Sequence, residues 1–201
     1  LDNIFTRRKG SAASITINGQ SLYATVSDEL RIFQSTYSNL DDEWSGDVKA
    51  FKMDAATGKV VTDPPVWEAQ SKLNDRLAQE GSSWLHILSY NGEDSGTLFL
   101  NGEDNLTSDQ KAALGGDWAN LVLYLRGEQI DGYRVRKYKL GDIVHSSPVF
   151  ENNVVYVGAN DGMLHAFDVL DLSDSSFAYV PYLVFANLNA LADSDYTHKY
   201  Y

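Results

Sequence analysis

The stretch GDIVHSSPVFENNVVYVGANDGMLHAF runs from Gly141 to Phe167, and its second half alternates with a two-residue period. Val155 and Val157 point to one side, Val154, Tyr156 and Gly158 to the other, as a half-buried strand requires. Ala159-Asn160-Asp161-Gly162 supplies a turn, because Asn, Asp and Gly tolerate the positive φ of a tight hairpin. Met163 to Phe167 is then the return strand, and Ile143 to Phe150 reads as a further strand before it. Pro148 has no N–H for a ladder, so it belongs at a strand start, a bulge or an edge.

The return strand has a second copy. Gly46-Asp47-Val48-Lys49-Ala50-Phe51 matches Gly162-Met163-Leu164-His165-Ala166-Phe167 as G-x-(V/L)-(K/H)-A-F. The first copy continues through the turn Ala55 to Lys59 toward Trp67, the second through Asp171 to Asp174 toward Tyr179-Val180-Pro181. A Gly-led strand, Ala-Phe, a polar turn and an aromatic strand make the kind of unit that recurs around a β-propeller.

Other segments fill in around these two. Ser14 to Gln20 alternates and ends in Asn18-Gly19, which suggests a hairpin to Ser21–Val26. Leu30 to Tyr37 is β-rich, and Asp41-Asp42-Glu43 reads as an acidic exposed loop. Trp67 to Gln79 has helix composition with Leu73 and Leu77 on one face. Trp84 to Tyr90 reverts to alternation. Thr107 with Gln110 forms a capping box for a helix stopped by Gly115-Gly116, and Asp117 to Leu125 is a second short helix with Leu121, Tyr124 and Leu125 sharing a face. Tyr133 to Tyr138 alternates again, with Arg134, Arg136 and Lys137 expected to pair with nearby carboxylates. Leu183 to Leu191 is an apolar helical run. Trp84, Tyr90 and Trp118 read as packing residues.

Bulk composition narrows the partners. A chain of 201 residues that is 43% hydrophobic can bury one sizeable core. Its net charge of −12 sets it against nucleic acid and anionic lipid. No run approaches the roughly eighteen apolar residues of a membrane span, and the first residues lack the pattern of a secretory signal. With no cysteine, disulfides, thiolate metal sites and a Cys nucleophile are excluded.

Catalytic patterns are absent from the sequence. The four histidines, His86, His145, His165 and His198, form no HExxH or His-x-His spacing, and His86 and His165 read as satisfied sheet histidines. Ser146-Ser147-Pro148 lacks the G-x-S-x-G turn of a hydrolase nucleophile. Asn91-Gly92-Glu93-Asp94 recurs as Asn101-Gly102-Glu103-Asp104. Its oxygens suit calcium, but without regular Asp-x-Asp-x-Asp-Gly spacing the pair reads as two turns around one short strand.

Several of these pieces, taken in order, resemble the PilY/PilC family of type IV pilus tip and biogenesis proteins. They are WSGDVKA from Trp44, YLRG from Tyr124, RVR from Arg134, LGDIVHSSP from Leu140 and VGANDGMLHAF from Val157, continued by Tyr179-Val180-Pro181 and Tyr196-x-His198-x-Tyr200. The resemblance covers about residues 30–201. It implies a mainly β fold, part of a modified β-propeller with quinoprotein-like blades and short helical insertions. Residues 1–29 would be lead-in strands or linker, and 30–201 an incomplete propeller segment with a helical insertion at about 67–125. The family-motif residues carried over, in a structural role, are Trp44, Gly46, Gly141, Asp142, Ser146, Ser147, Pro148, Asn160, Asp161, Gly162, His165 and His198.

The function so implied is non-enzymatic: pilus biogenesis and tip adhesion, with control of extension and retraction. Minor pilins of the tip complex, and host or abiotic surfaces, would be the partners, with no nucleic acid and no membrane insertion. The implied place is the pilus tip, outer-membrane surface or exterior of a Gram-negative bacterium, reached through a signal upstream of this chain. No cofactor falls in this segment, and the family's calcium loop is expected beyond Tyr201. Two alternatives remain: a quinoprotein-dehydrogenase-like propeller, whose Glu-Asn-Asp calcium set is not recognisable here, and a generic scaffold or carbohydrate-binding propeller. The chain is too short for a closed ring of six to eight blades at roughly 40 residues each, and about three blades' worth of chain leaves sheet edges open. Residues 1–201 expressed alone are therefore expected to aggregate or expose apolar strands, and cooperative melting of a clean monomer would refute this.

Overall fold

The computed structural model describes residues 14–16, 30–38, 44–54, 56–61, 64–170 and 176–196. His198, the acidic run Asp41–Glu43 and the proposed strand Ser21–Val26 lie outside them. Two β-sheets and four short helices make up the described residues, so the fold is mainly β. Among the described residues the strands form no closed barrel.

The first sheet is built on one long hairpin. β2 (Leu30–Ser38) and β3 (Ser45–Met53) pair antiparallel without interruption from Leu30↔Met53 to Ser38↔Ser45. β1 (Ser14–Thr16) adds to β2, while β4 (Val60–Val61) and β5 (Trp67–Glu68) add to β3. Trp67 thus belongs to a strand rather than to the helix that its composition suggests. α1 (Ala69–Glu80) starts two residues later. Its entry is held from outside, since Asp47 accepts the Gln70 N–H at 2.9 Å while the Gln70 amide donates to the Gly46 carbonyl at 2.7 Å.

The second sheet has six strands: β6 (His86–Tyr90), β7 (Gly96–Leu98), β8 (Val149–Glu151), β9 (Val154–Gly158), β10 (Leu164–Asp168) and β11 (Phe177–Val180), in the order β7-β6-β11-β10-β9-β8. The expected β9–β10 hairpin is present, with Gly158 opposite Leu164 and Val154 opposite Asp168. Gly162 takes its positive φ of 85°. All pairings are antiparallel except β6 with β11.

Two alternating segments are not strands. Residues 143–148 make no ladder, because Pro148 lacks an N–H and the Gly158 N–H is taken by the Ser146 hydroxyl at 2.9 Å. β8 begins only after Pro148. Residues 133–138 run instead across the end of a helix, where the Arg134 N–H donates to the Ala192 carbonyl at 2.9 Å.

Three more helices follow: α2 (Ser108–Leu114), α3 (Trp118–Leu125) and α4 (Phe185–Leu188). The Thr107–Gln110 capping box forms in both directions. The Leu183–Leu191 run is α4 bracketed by 3₁₀ turns, with Leu188 and Leu191 buried.

Both cores lie against one face of the six-stranded sheet. Val155, Val157 and Phe167 meet Phe33, Val48, Ala50 and Trp67 of the first sheet, with Phe33 stacked on Phe150 at 5.0 Å and Trp67 edge-on to Phe167 at 6.0 Å. Ile87, Ala178 and Val180 meet Tyr124, Phe185 and Leu188 from the helices. Arg126 pins that second core by donating to the carbonyls of Phe99, Ser82 and Leu85 at 3.1, 2.6 and 3.1 Å.

Phe167 is therefore one of the residues where the two sheets meet. Replacing it with Ala is expected to cost ~3–5 kcal/mol by cavity formation, read as a lower denaturant midpoint. Leu183→Ala, at a side chain 88% exposed, should stay within about 0.5 kcal/mol of the parent.

Candidate functional site

The residues singled out in LGDIVHSSP and ANDGMLHAF converge where the first strand of the repeat meets the hairpin of the second. Asp161 lies at their centre, 5% exposed in the turn between β9 and β10. Its carboxylate accepts the Gly141 N–H at 2.9 Å, the Met163 N–H at 3.1 Å, and a hydrogen bond from His165 Nε2 at 2.9 Å. Burial alone pushes this carboxyl up. The electrostatic interaction with His165 and the three hydrogen bonds outweigh it and leave the pKa below its ordinary 3.8. His165 also stacks on Phe167, nearly parallel at 5.6 Å.

Around Asp161 the backbone comes into close contact. The Gly46 N–H donates to the Leu140 carbonyl at 3.1 Å, and Ser45 bridges to Gly141. A Cβ on Gly46 would lie 2.1 Å from the Gly141 oxygen, and one on Gly141 would lie 2.5 Å from the Asp161 nitrogen. Glycine is required at both positions by this approach. A Cβ on Gly162 would lie 2.4 Å from Leu188, which ties the turn to α4.

Asp142, 2% exposed, accepts from the Asn160 side chain at 2.8 Å through its carboxylate and from the Asn160 N–H at 3.0 Å through its carbonyl. Ser146 holds Gly158 as described, and the Ser35 hydroxyl donates to the Ser146 carbonyl at 3.4 Å. Pro148 is buried, Ser147 exposed. Trp44 enters β3 with φ of 45°, rare for a bulky side chain. These residues thus form a junction between two backbones.

The basic residues behave differently from the sequence expectation. Arg134 donates to the Leu191 carbonyl at 3.2 Å and lies over the Tyr196 ring at 4.8 Å. Arg136 donates to the Tyr124 carbonyl and lies 3.9 Å over the Tyr124 ring. Main-chain oxygens and aromatic faces, rather than carboxylate pairs, hold both guanidinium groups. Spacing could not reveal this, because the acceptors are carbonyls from distant helix ends.

The arrangement has no room for a substrate. The cavity between Trp44, Arg134, Arg136, Asp142, Asn160 and Tyr196 has a volume of about 10 Å³. Among the described residues, no three His, Asp or Glu side chains are grouped to hold a metal ion. Asn91-Gly92-Glu93-Asp94 is a turn, in which the Asn91 side-chain oxygen accepts the N–H groups of Glu93, Asp94 and Ser95. Among the described residues, no helix is long and apolar enough to cross a membrane.

Comparison with known proteins gives consistent relatives. The type IV pilus biogenesis factor PilY1 of Pseudomonas aeruginosa (strain UCBPP-PA14) is 29% identical over 212 aligned positions, covering 84% of this chain and 18% of the relative. A PilY1 homolog of Xylella fastidiosa (strain Temecula1) is 26% identical over 237 positions, covering 100% of this chain and 17% of the relative. A 47-residue match to a PilY1 homolog of that organism reaches 55% identity. The chain thus spans less than a fifth of the length of the curated relatives it matches. No family model matches, and neither does any solved structure.

Two outcomes are expected at the junction. Gly46→Ala should lower stability by ~1–3 kcal/mol or more through overpacking against Gly141, measured by thermal unfolding. Because the folded pKa of Asp161 is depressed, its contribution is present above the unfolded value of 3.8 and is lost as pH falls through the folded pKa. Asp161→Asn should remove that acid-side dependence, and at neutral pH cost ~1–3 kcal/mol by weakening the buried hydrogen bonds from Gly141, Met163 and His165.

Proposed function

We propose that this chain is the counterpart of one segment of the PilY1 type IV pilus biogenesis factors and serves pilus biogenesis as a non-enzymatic structural platform. The observation that carries the reading is the extent of the similarity, which covers 84% of the chain in one relative and 100% in the other. The geometry supports a mechanical role. The polar chemistry of the junction, carboxylates, glycines and a histidine, is consumed internally in holding backbones together. A load entering the first sheet meets a ladder running from Leu30↔Met53 to Ser38↔Ser45 before reaching the junction.

In the finer form of this reading, the two sheets are blade-like parts of a modified β-propeller, and the helical stretch is its insertion. The assembly works at the pilus tip or outer surface of the cell. Minor pilins contact it from the pilus side, and a host or abiotic surface from the other. It modulates extension and retraction. We assign no cofactor to the described residues, and place any calcium of the intact protein in a loop outside them.

The test is genetic. In the source bacterium, deletion of residues 44–196 from the chromosomal copy should abolish surface pili and twitching, with the intact gene restoring both. Asp161→Asn should reproduce part of the loss in step with the fall in protein level. Normal piliation in the deletion strain would overturn the reading.

A further inference from the structure

Three cations line the small cavity beside the junction, and among the described residues none of them forms an ion pair with a carboxylate. They are Arg134, Arg136 and Lys139, and the same cavity is lined by Asp142 and Asp161. Each cation donates instead to a main-chain carbonyl: Arg134 Nε to Leu191 at 3.2 Å, Arg136 Nη2 to Tyr124, and Lys139 Nζ to Arg136 at 2.9 Å. The two acids are engaged by other donors, Asp161 by Gly141, Met163 and His165, and Asp142 by Asn160. Three positive and two negative side chains leave the lining with an excess positive charge, although the chain as a whole carries −12. With 28 acidic against 16 basic side chains, carboxylates are in surplus, so their absence from these cations is a feature of the fold. Burial and the neighbouring Arg136 push the Lys139 amine down from its ordinary 10.5, with Glu128 opposing. Burial likewise pushes the Arg136 guanidinium down, and Arg134 adds to the effect. Buried charges are ordinarily paired.

Two N–H groups of these guanidinium ions lack an acceptor. Arg134 Nη1 and Arg136 Nε are both buried and unpartnered, and Arg136 is only 7% exposed. A buried charged donor left unsatisfied costs about 1–3 kcal/mol or more, so two of them beside one cavity point to a shared acceptor. Among the described residues, the buried side-chain atoms without a partner are all N–H donors, Trp84 Nε1 being the third. No acceptor is left over. A water molecule would accept both N–H groups but would bring two protons of its own, whereas a monoatomic anion only accepts. The cavity, of about 10 Å³, admits one such guest and is too small for sulfate or phosphate.

We propose that Arg134 Nη1 and Arg136 Nε bind a halide ion, chloride in the natural setting, as a structural anion. Its position ties residues 134–142 to three neighbours at once. Through Arg136 it reaches Tyr124 of α3, through Arg134 the Leu191 turn after α4, and through the cavity wall the Asp161 turn. Hydrogen bonds to an ionised acceptor are the stronger kind, and here both partners are charged. The inference goes beyond the pilus reading and does not rest on it.

The test uses the intact polypeptide. Hydrogen exchange is read by mass spectrometry at peptides covering residues 133–142 and 189–196, in sodium chloride, sodium bromide and sodium gluconate of equal ionic strength. At a halide concentration ten times the midpoint of its titration, local opening should be ~10-fold rarer than in gluconate, because the ion binds the closed form. Arg134→Gln should remove the halide dependence. Crystals of the unmodified protein grown in bromide should show an anomalous peak between Arg134 and Arg136, and this measurement decides the matter if the variant fails to fold. Equal exchange in all three salts, or no anomalous peak, makes the guest a water molecule and overturns the proposal. A halide effect that persists in folded Arg134→Gln is general screening and overturns it as well. Neither readout involves pili, so the pilus reading keeps its own genetic test.

Discussion

The rest of the structure depends on the burial of one carboxylate. Asp161 is taken out of water in a turn, where an unpaired charge would be prohibitive. The compensation comes from three directions at once: the backbone of Gly141, the backbone of Met163 and the ring of His165. Each donor belongs to a different piece of the architecture. The Gly141 N–H brings in the segment that reaches the first sheet through Gly46, the Met163 N–H shapes the turn itself, and His165 anchors the strand that carries Phe167. Satisfying Asp161 therefore positions the first sheet, the hairpin and the shared core together.

The glycines follow from this constraint. Backbones joined by such a junction approach more closely than a Cβ allows, at Gly46 against Gly141 and at Gly141 against Asp161. Gly162 serves another purpose, supplying the positive φ of the turn while leaving room for Leu188. Through that contact the junction is coupled to α4 and to the second core. A site of this kind binds the protein to itself. Its residues have the types expected of catalysis, but their hydrogen-bonding capacity is directed to main chain, and the adjoining cavity is too small for organic substrate.

Much of the local structure was legible in the residues. The β9–β10 hairpin follows from alternation and an Asn-Asp-Gly turn, and α2 from a capping box whose two hydrogen bonds lie within four residues. The burial of Leu121, Tyr124 and Leu125 follows from helical spacing. The same alternation misled at Tyr133–Tyr138 and Ile143–Ser147, because alternation states that a strand is possible and not that a partner strand is available. There, Arg134 meets helix-end carbonyls and Ser146 takes the Gly158 N–H. Arg134 and Arg136 were expected to find carboxylates in so acidic a chain. Planar guanidinium groups also satisfy themselves on carbonyls and rings, and only the fold brings those within reach.

By itself the sequence determined the β-rich class, the hairpin, the capped helix and the paired strand motif, because each rests on interactions between neighbours along the chain. The parallel pairing of β6 with β11 was decided by tertiary structure, as was the convergence of Gly46, Gly141, Asp161 and His165. Those outcomes require groups far apart in sequence to meet. Which of them meet is set by the competition to bury apolar faces and satisfy buried polar groups across the whole molecule, and no local pattern encodes that competition.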